Sequence, residues 1–133
     1  MIKVAILGYG NIGKAAEQAI MQAPDMELVG IFHHNDSIDS IQADVVLIST
    51  PTREVQHFAQ SLLRRGISTI DSFDIHTEIY SHMQVLKPIA MQHQAYCYAA
   101  SSSQHHFGGL GPWYRLTHTR HHARYDTRGT NLY

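Results

Sequence analysis

The sequence predicts an α/β chain: a doubly wound parallel sheet, truncated, followed by an irregular C-terminal tail. Three observations lead there. Short apolar runs alternate with helix-favouring segments through residues 1–100. A glycine-spaced turn, Gly8-Tyr9-Gly10-Asn11-Ile12-Gly13, joins the first run to the first helical segment. Composition then breaks near residue 100. Ten of the eleven acids and all five Met precede it, whereas residues 101–133 hold one acid, Asp126, against four Arg and five His.

Each element follows from its residues. Ile2 to Leu7 is almost continuously apolar, as a strand buried on both faces must be. Lys14 to Gln22 favours helix, with Ala15, Ala19 and Ile20 as inward candidates, and Pro24-Asp25 ends it. Glu27 to Phe32 reads as the second strand, His33 to Ile41 as loop, and Ala43 to Ser49 as the third strand. Thr50-Pro51-Thr52 opens a helix that runs to about Arg65 and is stopped by Gly66. Ile67 to Asp71 is a fourth strand, and Ile75 to about Gln92 is helical with a kink or break at Pro88. Ala95 to Ala100 makes a fifth strand. Strands and helices alternating at this spacing imply parallel pairing, because a parallel crossover needs a helix to return the chain. Residues 1–100 thus form one domain, and 101–133 carry no assignable element.

Composition narrows the function classes. The chain has 133 residues, 44% of them hydrophobic, and a net charge of −1, so no global field attracts nucleic acid or an anionic membrane. Its single cysteine, Cys97, excludes an internal disulfide framework and reads as a small buried hydrophobe. The opening MIKVAILGYG is too short and too glycine-broken for a signal peptide, and no apolar run approaches the ~20 residues of a membrane span. A cytoplasmic protein is the expectation, with no membrane and no nucleic-acid partner.

The glycine turn carries the chemistry. Gly8 permits the tight turn, Gly10 lets the backbone approach a pyrophosphate, and Gly13 lets helix and strand pack closely. The helix behind it offers free N–H groups and a positive dipole end to phosphates. This is the signature of a Rossmann-type dinucleotide-binding domain. At the tip of the second strand an acid would hold the ribose of NAD, and a cation would accept the 2′-phosphate of NADP. The chain offers His33, His34 and Asn35 there, which favours NADP as cofactor and leaves NAD possible. Ser49, Thr50, Pro51 and Thr52 end the third strand and should line the same crevice, as should Ser72, Phe73 and Asp74 after the fourth. Asp74 either meets a ligand ammonium or caps the helix that follows.

These segments carry a resemblance. VAILGYGNIGKAAEQAI, PDMELVGIF and IDSFDIH are similar to the N-terminal half of the meso-diaminopimelate dehydrogenase family, over about residues 1–100. The resemblance implies an NADP-dependent oxidoreductase of lysine biosynthesis that oxidatively deaminates the D-centre of meso-2,6-diaminopimelate and acts as a homodimer at full length. It implies that Tyr9, Gly10, Asn11 and Ile12 hold the pyrophosphate and that residues 33–35 meet the 2′-phosphate. It further implies that Ser49 to Thr52 and Ser72 to Asp74 contact cofactor, with Asp74 reaching the substrate's D-amino acid centre. The family carries Ser-Arg-Arg or Thr-Arg-Arg where this chain has His33-His34-Asn35. A stand-alone NAD(P)-binding module and a dihydrodipicolinate reductase-like fragment are the alternatives.

The tail has its own reading. The codons of Phe107 to Leu116, read one base later, can encode Ser-Ala-Gly-Trp-Asp-Pro-Gly-Thr-Asp-Ser. That contains the Gly-Trp-Asp-Pro-Gly loop with which the family continues. The tail is therefore expected to be an out-of-frame reading, and the chain without its substrate domain is expected not to turn over. The rival readings are a metal site at His118, His121 and His122, and a nucleic-acid tail built on Arg115, Arg120, Arg124 and Arg128.

Overall fold

The computed structural model describes residues 1–73 and 75–99; Asp74 and the tail read from the sequence lie outside the described residues. Among the described residues eight main elements run in order: β1 (Ile2–Leu7), α1 (Asn11–Gln22), β2 (Met26–Phe32), β3 (Val45–Ile48), α2 (Thr52–Arg64), β4 (Ser68–Asp71), α3 (Ile79–Gln92) and β5 (Cys97–Ala99). Two short 3-10 turns, Ile38–Ser40 and His76–Glu78, lie between them. The first of these falls inside the stretch read as plain loop.

All strands pair in parallel, in the order β2-β1-β3-β4-β5. The order reverses at β1, so the chain turns one way to β2 and the other way to β3. That reversal opens a crevice at the carboxyl ends of β1 and β3, where ligands of open α/β sheets bind.

Alternate residues of the central strands face opposite layers. Ala5, Leu7, Val46 and Ile48 pack with Val55, Leu62 and Leu63 of α2 and Leu86 of α3. Val4, Ile6, Val45 and Leu47 pack with Ala16 and Ile20 of α1. Both faces are covered, which is why β1 from Val4 onward and all of β3 are apolar.

Several boundaries differ from the sequence reading. Helix α1 starts at Asn11, three residues earlier than expected, because Gly10 takes the cap position and its carbonyl accepts the Lys14 N–H at 2.9 Å. Its buried face is Gly13, Ala16 and Ile20, not Ala15, since the stripe must be counted from the close approach at Gly13. Helix α3 does not break at Pro88. Leu86 and Ala90 are buried on either side of it, and their packing outweighs the ~3 kcal/mol that an interior proline costs. Cys97 is half-buried, because β5 pairs on one side only among the described strands. The stop at Gly66 matches the reading. Its φ is +78°, and the Gly66 and Ile67 N–H groups return to Leu63 and Leu62 carbonyls in a Schellman motif.

Candidate functional site

The glycine turn is built between two strands. The Gly8 N–H donates to the Phe32 carbonyl at 2.7 Å, tying the turn to the end of β2. From the other side, the Ser49 hydroxyl donates to the Gly8 carbonyl at 2.8 Å. Gly8 has φ +99°, and a Cβ there would stand 2.8–2.9 Å from the Ser49–Thr50 backbone. A Cβ on Gly13 would stand 2.2 Å from the Gly8 carbonyl oxygen. Both positions are closed to larger residues by backbone, which no rotamer change relieves.

Gly10 is different. A Cβ added there meets nothing within 4 Å, so its lack of a side chain serves space outside the protein. Behind it, α1 begins with no side-chain cap and no acid in its first turn. The first-turn N–H groups therefore face outward with their dipole uncompensated, an arrangement suited to an anion.

Thr50 ends this group. It is buried, yet its hydroxyl has no hydrogen-bond partner among the described residues. Leaving a buried hydroxyl unpaired costs about 1–3 kcal/mol, and this one stands beside the glycine turn.

Tyr9 leads from the turn toward β2. Its hydroxyl donates to the Glu17 carboxylate, and its ring meets His33 edge-on at 6.5 Å between centroids. Lys14 Nζ sits 5.7 Å from the centroid of the same ring. The bond to Glu17 raises the Tyr9 phenol above its ordinary value, with burial and the Glu17 charge adding to it. His33, His34 and Asn35 are exposed in the turn after β2, which Asp36 closes by accepting the His33 N–H on its carboxylate at 2.7 Å.

A second group forms at the ends of β3 and β4. Ser72 donates its N–H to the Ile48 carbonyl at 3.2 Å, and the Phe73 N–H donates to Asp71 Oδ1 at 3.0 Å. The Phe73 ring stacks on His82 at 4.1 Å with 10° between planes. Here a cleft of about 430 Å³ opens among Thr52, Arg53, Gln56, Phe73, Glu78 and His82. Of the expected site residues, then, Gly8 to Gly13, Ser49 and Thr50 meet at the crevice, and His33 joins them through Tyr9. Thr52 and Phe73 line the second cleft, Ser72 follows β4 beside the end of β3, Pro51 is exposed, and Asp74 is outside the described residues.

Sequence reasoning missed Lys14, Glu17 and His82. His82 was findable: with Leu86 and Ala90 it continues the buried i, i+4 stripe of α3.

No family model matches the chain. Over 110 residues, 71% of this chain, it is 38% identical to the meso-diaminopimelate D-dehydrogenase of Bacteroides fragilis, of which it covers 37%. The chain is similar to the N-terminal part of the meso-diaminopimelate dehydrogenases. Its fold superposes on the Corynebacterium glutamicum DAP dehydrogenase in complex with DAP with a TM-score of 0.63 and 28% identity, over 73% of this chain and 35% of that one. An engineered D-amino acid dehydrogenase bound to NADP+ gives a TM-score of 0.57 and 30% identity, over 72% and 35%. The chain thus spans about a third of the length of the dehydrogenases it matches. Among the described residues no helix is long and apolar enough to cross a membrane.

Proposed function

We propose that this chain supplies the NADP-binding part of a dehydrogenase that oxidatively deaminates the D-centre of meso-2,6-diaminopimelate. The observation that carries the reading is the 38% identity over 110 residues to the Bacteroides fragilis enzyme of that name.

The residues present fit a dinucleotide. The uncapped start of α1, the open space at Gly10 and the unpaired Thr50 hydroxyl supply donors, room and a buried polar group in one crevice. In this reading Gly8, Tyr9, Gly10, Asn11, Ile12 and Gly13 bind the pyrophosphate through backbone N–H groups. His33, His34 and Asn35 receive the adenosine 2′-phosphate. Ser49, Thr50, Pro51 and Thr52 orient the nicotinamide half, together with Ser72 and Phe73. Asp74 accepts the ammonium of the D-amino acid centre. Bound NADP+ supplies the hydride acceptor; the protein groups named here bind, orient and exclude water.

Calorimetric titration of NADP+ into the 133-residue chain tests the binding half. Binding that Gly10→Val abolishes, with far-ultraviolet circular dichroism unchanged, is the expected result. A folded wild-type chain blind to both NADP+ and NAD+ would overturn the reading. The substrate half is tested on the gene read through the second frame after residue 100, by diaminopimelate-dependent NADPH formation.

A further inference from the structure

The turn after β2 carries imidazoles where a phosphate-reading domain needs fixed cations. We propose that His33 and His34 make the choice between NADPH and NADH depend on pH, favouring the phosphorylated cofactor only where the imidazoles are protonated. The inference rests on the dinucleotide reading and adds a specificity rule to it.

The permanent charges around this turn do not favour a phosphate. Lys14, from α1, stands over the Tyr9 ring. It is answered by the Glu17 carboxylate, which takes the hydroxyl of that same ring. Asp36 adds a second carboxylate, held 2.7 Å from the His33 N–H. Farther along the chain, Asp39 lies in the 3-10 turn, and Arg65 is occupied by the carbonyls of Ile38 and Ile41 at 3.0 and 2.8 Å. Two cations, Lys14 and Arg65, against three carboxylates, Glu17, Asp36 and Asp39, leave the rim beside β2 negative when both imidazoles are neutral. Protonating His33 and His34 reverses the sign.

Both histidines are exposed, so they can turn toward a bound group. His33 is placed for it, since its ring already meets Tyr9 of the glycine turn. Imidazoles change charge between about pH 5 and pH 8, where guanidinium does not. A phosphate monoester gains its second charge near pH 6, which alone would strengthen binding as pH rises to a fixed cation. The histidine turn predicts the opposite slope above neutrality, and that difference in sign isolates it. A cofactor with a free 2′-hydroxyl should ignore the change.

The test is isothermal titration of NADPH and of NADH into the full 133-residue chain at about pH 6 and about pH 8.5, at one ionic strength. NADPH should bind about tenfold or more weakly at the higher pH, while NADH changes by less than about twofold. The double variant His33→Arg/His34→Arg should bind NADPH tightly at both values. NADPH affinity that is flat, that rises with pH, or that falls in step with NADH overturns the proposal while leaving the dinucleotide reading intact. Failure of both cofactors to bind at either pH overturns the dinucleotide reading, and this rule with it.

Discussion

Asp71 Oδ2 stands 2.9 Å from His82 Nε2, and neither side chain is exposed to solvent. Asp71 is the last residue of β4, and His82 lies in the first turn of α3. The Gln56 amide approaches His82 Nδ1 at 3.4 Å, and with that amide as donor the ring's own proton sits on Nε2, toward Asp71. Asp71 Oδ1 takes the Phe73 N–H, and Phe73 stacks on the imidazole. The pair therefore fixes the turn that leads into Ser72 and Phe73. Removing one member strands the other without water. His82→Ala should cost about 3–5 kcal/mol in urea unfolding. Asp71→Asn combined with His82→Ala should cost less than the two single losses added. Additive losses would show that the two groups do not act as a pair.

The three turn glycines should separate stability from binding. Gly13→Ala places a Cβ 2.2 Å from the Gly8 carbonyl oxygen and should destabilise the fold by several kcal/mol, within the ~4 kcal/mol range of severe core changes. Gly10→Ala meets nothing and should change stability by less than about 1 kcal/mol, while weakening NADP+ binding. Equal melting temperatures for the two variants would contradict the geometry.

Two buried threonines form a matched pair of tests. The hydroxyls of Thr50 and Thr69 are both buried without a partner among the described residues. Thr50 lies at the crevice; Thr69 lies within β4, paired with Cys97 of β5. Replacing either by Val removes an unpaired buried hydroxyl and should stabilise the free protein by up to about 1–3 kcal/mol. Only Thr50→Val should lower cofactor affinity. Thr69→Val weakening binding equally would remove the ligand role given to Thr50.

Two residues past the end of α3 stands a residue suited to replacement. Gln94 has φ 57°, and the Ala95 N–H returns to the Ala90 carbonyl at 2.8 Å, so Gln94 fills the left-handed position of a Schellman-type end. A non-glycine residue there costs about 1–2 kcal/mol in local strain. Gln94→Gly should therefore raise the melting temperature, read by scanning calorimetry.

We propose that the residues after about 100 are read out of frame, on the codon argument for Phe107 to Leu116. Resequencing the gene across that stretch should find one base too many or too few. An unchanged reading would dispose of the proposal.

Much of this was legible because it is local. The apolar runs fix β1 and β3, and the glycine spacing fixes the turn between β1 and α1. The ends were less legible. The start of α1 depends on Gly10 acting as cap, and the short strand β4 begins only where Ser68 can pair with Val45. The Asp71–His82 bond was invisible because nothing in either residue's neighbourhood announces the other; packing α3 on the sheet brings them together. The role of Ser49 in holding Gly8 is of the same kind, since it joins residues separated by 41 positions.

That last contact makes the crevice a gauge of the whole sheet. The conformation of Gly8 is stored neither in its own turn nor in α1, but in Phe32 on one side and Ser49 on the other. The turn can take its binding shape only after β2 and β3 have both docked on β1. A bound dinucleotide would then count assembled molecules, and would hold them assembled in proportion to its occupancy.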